Sequence, residues 1–262
     1  MREELGIDAA FRFPQPFVLT TRTLMQNHDA LSDTPQRGRF VAAIFDMDGL
    51  LLDSERVILE AWQEVALAYG TELKRETYLQ LIGRRGADVR ALFLSLLPEG
   101  FPFDEARIRV QEIVTTRRAR EGFSVKPGVR TFLARLAATK IPCAVASSTR
   151  LEEVERRLGL VELRAHFATV VGGDEVEHGK PAPDVFLLAA KRLAVPPADC
   201  IVFEDVEHGG RAAVAAGMQV VIVPDLQPPS AEAQRFSLAV LATLEHTDAT
   251  FAAWFVGQAA GA

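Results

Sequence analysis

The stretch Val41-Ala42-Ala43-Ile44-Phe45 is a continuous apolar run, and it ends in Asp46-Met47-Asp48-Gly49. Continuous rather than alternating apolarity is typical of a strand that is buried on both faces of a parallel sheet. Four later runs have the same character, and a polar side chain follows each of them within a few residues. These runs are Pro142–Ala146, Thr169–Val171, Ile201–Phe203 and Val220–Val223.

Segments with helical periodicity lie between these runs. Apolar residues recur in them at the three- and four-residue spacing of an amphipathic helix. Strands that alternate with helices favour an open sheet with helices on both faces. We therefore predict an α/β fold with a doubly wound, parallel, Rossmann-like sheet core. The predicted helices are Val129–Ala138, Leu151–Leu158, Asp184–Leu193 and Arg211–Ala216.

The first connection is much longer than the others. About 90 residues without strand character separate the first strand from the second, whereas a crossover needs only a dozen or so. The segment contains predicted helices at Arg56–Tyr69, Asp88–Leu97 and Asp104–Arg120. We predict that residues 55–121 form an inserted helical cap domain, and that residues 40–54 and 122–262 form the core domain.

Residues 1–39 show no sustained period. We expect an N-terminal extension that is either disordered in part or packed on the body, and Met25 is an alternative start of the protein. Charges at Arg2, Glu3 and Glu4 interrupt the apolar core that a signal peptide needs, so none is expected.

Composition limits the partners and the compartment. A net charge of −6 argues against a nucleic-acid binder but leaves a small anionic ligand open, because a local site can invert the global sign. No apolar run approaches the roughly 20 residues of a membrane span. Cys143 and Cys200 begin apolar runs and are predicted to be buried, reduced thiols, which favours the cytoplasm. The five histidines lack metal-ligand spacing, so zinc is not expected.

Asp46 and Asp48 are the first candidate catalytic pair. Residues i and i+2 of extended backbone point the same way, so both carboxylates can face one substrate. One can attack phosphorus while the other handles the leaving-group proton. The alternative is an Asp-rich turn that merely ends a strand.

The other strand ends supply complementary groups. Glu204 and Asp205 would form, with Asp46, an oxygen cluster suited to Mg²⁺, although they could also be an acidic pair at a helix N-terminus. Ser147-Ser148-Thr149 offers hydroxyls and N–H groups to a phosphate, but taken alone it favours an ordinary helix N-cap. Lys180 precedes a stiff Pro-Ala-Pro stretch and could offset phosphate charge, or it could be an ordinary solvated lysine.

Together these motifs resemble the haloacid dehalogenase superfamily. The first motif is Phe45 to Glu55, the second Ala146 to Thr149, the third Gly179 to Asp184, and the fourth Phe203-Glu204-Asp205 with Gly209 and residues 215–218. They occur in the order of the family, between about Val41 and Val223. The insert resembles the helical cap of the β-phosphoglucomutase-like subfamily.

The resemblance implies roles at the matched positions. Asp46 would form an aspartyl-phosphate, and Asp48 would protonate the leaving oxygen and then activate water. Mg²⁺ would bind the Asp46 and Asp205 side chains and the Asp48 carbonyl, with Glu204 close by. Ser147 and Lys180 would hold the phosphoryl oxygens. Glu55 and Ser148, which lie in the matched motifs, are predicted to contact substrate.

Two features concern substrate choice. After Glu204-Asp205 the subfamily commonly has a serine, whereas this chain has Val206-Glu207-His208, so fine geometry and substrate preference differ. In the insert, Arg84 and Arg85 lie between Gly83 and Gly86 and are predicted to bind an anionic substrate, the alternative being a solvated basic loop.

Three functions follow in order of preference. The first is an Mg²⁺-dependent phosphatase acting on a small phosphate monoester such as a sugar phosphate. The second is a phosphomutase on the same scaffold, and the third is a non-catalytic protein that binds a phosphorylated ligand. The mutases that the chain resembles carry a histidine where this chain has Ile58, and a cap-loop arginine where it has Gly86. We expect a monomer or a weak dimer, with no nucleic-acid or membrane partner.

Overall fold

Six parallel strands form one sheet in the computed structural model, which describes residues 39–81, 86–248 and 250–255. The sheet order is β3-β2-β1-β4-β5-β6, so that β1 lies at the centre between β2 and β4. This confirms the predicted doubly wound α/β core. The strands are β1 (Ala42–Phe45), β2 (Cys143–Ala146), β3 (Thr169–Val171), β4 (Cys200–Glu204), β5 (Gln219–Ile222) and β6 (Ala239–Val240).

Ten α-helices accompany this sheet within the described ranges. All the predicted helices occur, with ends shifted by a few residues. The helices are α1 (Glu55–Ala68), α2 (Arg75–Leu79), α3 (Gly86–Leu96), α4 (Phe103–Glu121), α5 (Val129–Ala138), α6 (Leu151–Leu160), α7 (Asp184–Leu193), α8 (Glu207–Ala215), α9 (Ala231–Phe236) and α10 (Phe251–Trp254).

Helix α8 is where the predicted start was wrong. The helix begins at Glu207, whereas the sequence pattern predicted Arg211. The pattern missed the first turn because Gly209 and Gly210 are poor helix formers. A Cβ at Gly209 would lie 1.7 Å from Oε1 of Glu204, so packing against that carboxylate demands glycine there. Tertiary contact therefore outweighs helix propensity at this turn.

Both faces of the sheet are covered, which explains the continuous apolar runs. Phe45 of β1 belongs to the core on one face, where it stacks on Phe203 with ring centroids 5.0 Å apart and meets Phe132 of α5 edge-on. Its neighbour Ile44 belongs to the core on the other face, together with Phe186 of α7. Every residue of β1 is consequently buried. Cys143 and Cys200 carry free thiols and are buried, as predicted.

The helices of the insert have an apolar cluster of their own. Trp62 of α1 contacts Phe93 of α3 at a centroid distance of 4.4 Å and stacks near Phe103 of α4 at 5.6 Å. These residues belong to a cluster that is separate from the two clusters beside the sheet. The limits of 55–121 for the cap domain stay a prediction.

The chain passes between the sheet and this cluster twice. The outgoing crossing at Leu52-Asp53 runs beside the returning crossing at Ser124-Val125. Leu52 and Val125 form an antiparallel bridge, and the N–H of Asp53 donates to the Ser124 carbonyl at 2.9 Å. The predicted extension up to residue 38, with Met25, lies outside the described residues, as do Arg84 and Arg85. Within the described ranges, no helix has the length and apolarity needed to cross a membrane.

Candidate active site

One cavity of about 170 Å³ lies beyond the carboxyl ends of β1, β2 and β4. In an open parallel sheet this edge is the usual position of the ligand crevice. The cavity brings together all the predicted site residues except Arg84 and Arg85, and Thr149 and Val206 join them. Its lining consists of Asp46, Asp48, Glu55, Ser147, Ser148, Thr149, Lys180, Glu204, Asp205 and Val206.

Two other strand-end acids lie outside this lining. Asp174 accepts a hydrogen bond from the Leu151 N–H at 2.8 Å, at the start of α6. The Asp225 side chain is only 1% exposed and pairs with Lys126 at 2.5 Å. Asp225 therefore ties the returning crossing to the end of β5 and does not face the cavity.

The turn after β1 allows the acids to approach one another. Gly49 has φ +85°, and a Cβ there would lie 2.2 Å from Oδ2 of Asp205. Any other residue would thus meet both backbone strain and the Asp205 carboxylate. The glycine of the Asp-Met-Asp-Gly motif permits the close contact between the β1 and β4 strand ends.

Lys180 lies between two carboxylates. Its Nζ donates to Asp46 Oδ1 at 2.5 Å and to Glu204 Oε1 at 2.7 Å, and its side chain is 2% exposed. Burial by itself would lower the pKa of Lys180, but the charges of Asp46 and Glu204 together raise it well above its ordinary value. The solvated-lysine alternative is therefore wrong, and Lys180 is a buried cation.

Glu204 also organises the start of the α8 segment. Its Oε2 accepts hydrogen bonds from the N–H groups of Asp205 at 2.9 Å and Val206 at 3.1 Å. With Lys180 on Oε1, both oxygens of this fully buried carboxylate have donors. Glu204 thereby fixes the direction of the Asp205 backbone.

The carboxylates of Asp46, Glu204 and Asp205 together carry more negative charge than Lys180 can balance. Carboxylate oxygens of Asp46, Glu204 and Asp205 lie within 4.8 Å of one another. Burial, opposed by the Lys180 charge and reinforced by that of Glu204, raises the pKa of Asp46 to about 8. Burial and the charges of Glu204 and Asp46 raise the pKa of Asp205 well above its usual range. A divalent cation would relieve this repulsion, and an all-oxygen donor set suits Mg²⁺.

The hydroxyl loop does not cap α6, so the local N-cap interpretation was wrong. Arg150 occupies the N-cap position without a side-chain cap bond, and it is Asp174 that accepts from the Leu151 N–H. Ser147 is buried, and its Oγ accepts from the Thr149 N–H at 3.1 Å. Ser148 and Thr149 do not cap α6, and both residues line the cavity.

Within the described part of the chain, three side chains donate hydrogen bonds to Asp48. Oδ1 accepts from Ser54 Oγ at 2.6 Å and from Arg157 Nη1 at 2.8 Å, and Oδ2 accepts from Thr149 Oγ1 at 2.8 Å. Sequence reasoning missed Arg157, because its spacing from Glu153 is that of an ordinary surface ion pair on a helix.

Glu55 links the cavity to the helices of the insert. Its Oε2 accepts a hydrogen bond from Tyr78 of α2 at 3.0 Å. Burial raises the pKa of Glu55 to about 7, the charge of Asp48 adds to this effect, and the Tyr78 hydrogen bond opposes it. Nothing in the sequence pattern pointed to Tyr78, which lies 23 positions from its partner.

Replacing Glu55 by glutamine is expected to change stability in a pH-dependent way. The pKa of Glu55 rises from 4.5 to about 7 on folding, so its stabilising contribution is complete below pH 4.5 and is lost as the pH rises through 7. Glutamine keeps the neutral form at every pH. In metal-free buffer, the free energy of unfolding of E55Q relative to wild type should increase by about 2–3 kcal/mol from pH 5 to pH 8.

Urea denaturation at the two pH values measures this difference. The matched control is E60Q, because Glu60 lies on the same helix but its side chain is 65% exposed. E60Q should follow wild type at both pH values. An E55Q difference that is the same at pH 5 and pH 8 would contradict the raised pKa.

Fold and cavity together define an α/β protein that gathers several carboxylates and the buried Lys180 at the carboxyl ends of its parallel strands. Residues 43–223 match the family described as haloacid dehalogenase-like hydrolase. The chain therefore belongs to the haloacid dehalogenase-like hydrolases, as the motifs predicted.

Relatives with known names agree with this membership. Fructose-1-phosphate phosphatase of Escherichia coli is 35% identical over 186 residues, covering 71% of this chain and 97% of that protein. The phosphorylated carbohydrates phosphatase of Thermotoga maritima is 34% identical over 178 residues, covering 68% and 82%. The crystal structure of CbbY from Rhodobacter sphaeroides in complex with phosphate has a TM-score of 0.67 and 27% identity, and covers 80% of this chain and 96% of that one.

Proposed function

We propose that the protein is an Mg²⁺-dependent phosphatase that hydrolyses a small phosphate monoester, such as a sugar phosphate, through a phosphorylated Asp46. The observation that carries this proposal is the convergence of Asp46, Asp48, Lys180 and Asp205 on one cavity. A protein that only binds a ligand has no evident need for all four. Two relatives are named as phosphatases of phosphorylated sugars or carbohydrates, which supports the substrate class.

The first half of the reaction transfers the phosphoryl group to the protein. A carboxylate oxygen of Asp46 attacks phosphorus, and the bond from phosphorus to the leaving oxygen breaks. Asp48 gives its proton to that leaving oxygen, which departs as an alcohol. Lys180 and Ser147 hold the phosphoryl oxygens, and Lys180 also keeps the Asp46 carboxylate in place.

The second half returns Asp46 to its starting form. A water oxygen attacks phosphorus while Asp48 accepts the water proton, and the bond from phosphorus to the Asp46 oxygen breaks. Inorganic phosphate leaves. Mg²⁺, held by Asp46, Asp205 and the Asp48 carbonyl with Glu204 beside them, would supply positive charge to the phosphoryl oxygens.

The remaining proposals concern the surroundings of the site. The insert 55–121 would act as a cap that selects the substrate, with Glu55 and Ser148 contacting it, and Arg84 and Arg85 as further candidates. The free, buried thiols of Cys143 and Cys200 support a reducing cytoplasm as the compartment. A monomeric or weakly dimeric state also stays a prediction.

A panel of phosphorylated metabolites with Mg²⁺, scored by kcat/KM for phosphate release, tests the proposed function. The mutase alternative is tested with β-glucose 1-phosphate plus a trace of the bisphosphate, following inorganic phosphate and glucose 6-phosphate together. We expect phosphate release, because Ile58 cannot relay a proton. Efficient formation of glucose 6-phosphate with little free phosphate would overturn the phosphatase assignment.

Removing the metal is expected to abolish turnover and to lower the melting temperature. Mg²⁺ at about ten times its Kd would stabilise the folded state by roughly 1.4 kcal/mol, because it binds only the folded cluster. For a chain of this size that corresponds to a few degrees of melting temperature. Thermal melts and phosphate release in EDTA, then after Mg²⁺ is restored, measure both effects.

The control for the metal is D205N, which removes one carboxylate from the cluster. Its melting temperature should respond much less to Mg²⁺ than that of wild type. Full activity of the wild-type protein after exhaustive chelation would rule out the proposed metal dependence.

A further inference from the structure

Arg157 reaches Asp48 from a helix of the core. Its Nη1 donates to Asp48 Oδ1 at 2.8 Å, and the two side chains are 12% and 17% exposed. Arg157 lies in the second turn of α6, 109 positions from Asp48 and outside the motifs that define the family. A charge-assisted hydrogen bond of this length is among the stronger side-chain contacts.

The guanidinium of Arg157 also contacts a second carboxylate and an aromatic ring. Its Nε donates to Glu153 Oε1 at 2.6 Å, and its Cζ lies 5.4 Å from the ring centroid of Phe123. Phe123 belongs to the returning crossing between the insert and the sheet. Arg157 therefore bridges two carboxylates, with one edge of its planar fork on Glu153 and the other on Asp48.

The other donors to Asp48 cannot replace this bridge. Ser54 and Thr149 contribute hydroxyls, which can rotate and either donate or accept a hydrogen bond, whereas a guanidinium only donates. With Arg157 gone, neither hydroxyl would fix the orientation of the carboxylate. A carboxylate that must exchange protons first with a leaving oxygen and then with water depends on such fixed geometry.

We propose that Arg157 is a positioning residue for Asp48, which orients this carboxylate for its two proton transfers through the Glu153–Arg157–Asp48 bridge. This inference rests on the proposed phosphatase function. Arg157 does not line the cavity, so it is not assigned to substrate binding. For a substrate with an alcohol leaving group, its loss should therefore slow both half-reactions, lowering kcat and leaving KM nearly unchanged.

The test variant is R157M and the matched control is R156M. Arg156 is the neighbouring residue, pairs with the same Glu153 at 2.7 Å and lies 5.7 Å from the same Phe123 ring. Its side chain is 51% exposed, however, and among the described residues its hydrogen bonds go to Glu153 alone. Any loss that comes only from weakening Glu153 or Phe123 contacts appears in both variants. Circular dichroism and thermal melts establish that both are folded.

p-Nitrophenyl phosphate separates the two half-reactions in rapid-mixing experiments. Its leaving group departs as phenolate without a proton, so phosphorylation of Asp46 needs no proton from Asp48, whereas attack by water still requires Asp48 to accept a proton. R157M should show a burst of one p-nitrophenolate per active site at close to the wild-type rate. Its steady-state kcat should then be about 10- to 100-fold below that of wild type. Its KM should fall together with kcat, because slow hydrolysis of phosphorylated Asp46 leaves kcat/KM unchanged.

A purely structural effect would lower the burst and the steady state together. If R157M does not fold, R157K provides the same test, because an ammonium group cannot bridge both carboxylates as the fork does. An active wild-type protein whose R157M variant matches R156M in the steady state, or loses burst and steady state in equal proportion, would overturn this inference alone. Absence of phosphate release by the wild-type protein would overturn the proposed function and this inference with it.

Discussion

Asp46→Asn is expected to remove essentially all turnover while preserving the fold. The side chain is 10% exposed just after the end of β1, and asparagine has nearly the same shape. An amide oxygen is a far poorer nucleophile than a carboxylate and a poorer ligand for Mg²⁺. We expect kcat to fall by about 1,000-fold or more. In metal-free buffer the variant should be at least as stable as wild type, because asparagine stays neutral at a position where burial, with the charge of Glu204, raises the pKa of Asp46 to about 8.

Steady-state phosphate release and thermal melts measure the two parts of this expectation. The matched control is D174N, since Asp174 is another strand-end acid that lies outside the cavity, and asparagine caps a helix about as well as aspartate. D174N should keep most of its activity. Retention of even a tenth of wild-type kcat by D46N would remove Asp46 as the nucleophile.

Lys180→Met is expected to have the largest effect on stability. Methionine keeps much of the length and apolar stem of lysine but leaves the Asp46 and Glu204 carboxylates buried without their shared cation. Breaking a buried ion pair by removing one partner costs about 3–5 kcal/mol. We expect a loss of this order in metal-free buffer, together with loss of activity, and a partial recovery of stability when Mg²⁺ is added.

Two comparisons separate charge from packing. K191M removes an exposed lysine from the last turn of α7, and its stability should stay within about 0.5 kcal/mol of wild type. The double variant K180M/E204Q removes one of the stranded charges and should recover part of the lost stability without recovering activity. If K180M proves as stable as K191M by urea denaturation, the buried pair is not what holds these strand ends together.

The order of the elements was predictable because burial leaves a local mark. A strand covered on both faces must be apolar at every position, and β1 to β5 could be read from that property alone. β6 could not, because its two residues are too short to show any period. The start of α8 was missed for a related reason, since a pattern cannot show that Gly209 packs on Glu204.

The convergence of the strand-end groups was also within reach of the sequence. Carboxyl ends of parallel strands meet at one edge of a sheet, so Asp46, Ser147 and Glu204 were expected to be neighbours before any distance was known. Local sequence was misleading only where the same residues suit two structures. Ser147-Ser148-Thr149 looks like a helix cap, yet α6 is capped from another strand end by Asp174.

The contacts between side chains on different elements were decided by the tertiary structure alone. The pairs Arg157–Asp48, Tyr78–Glu55 and Lys126–Asp225 join positions 109, 23 and 99 residues apart. Helical and strand periods report which face of an element is buried, because burial is set by its own side chains. They do not report which residue of another element meets that face, because register and crossing geometry are fixed by the packing of the whole core. The sequence thus determined the chemical groups of the site, and the packing determined which residues hold them in position.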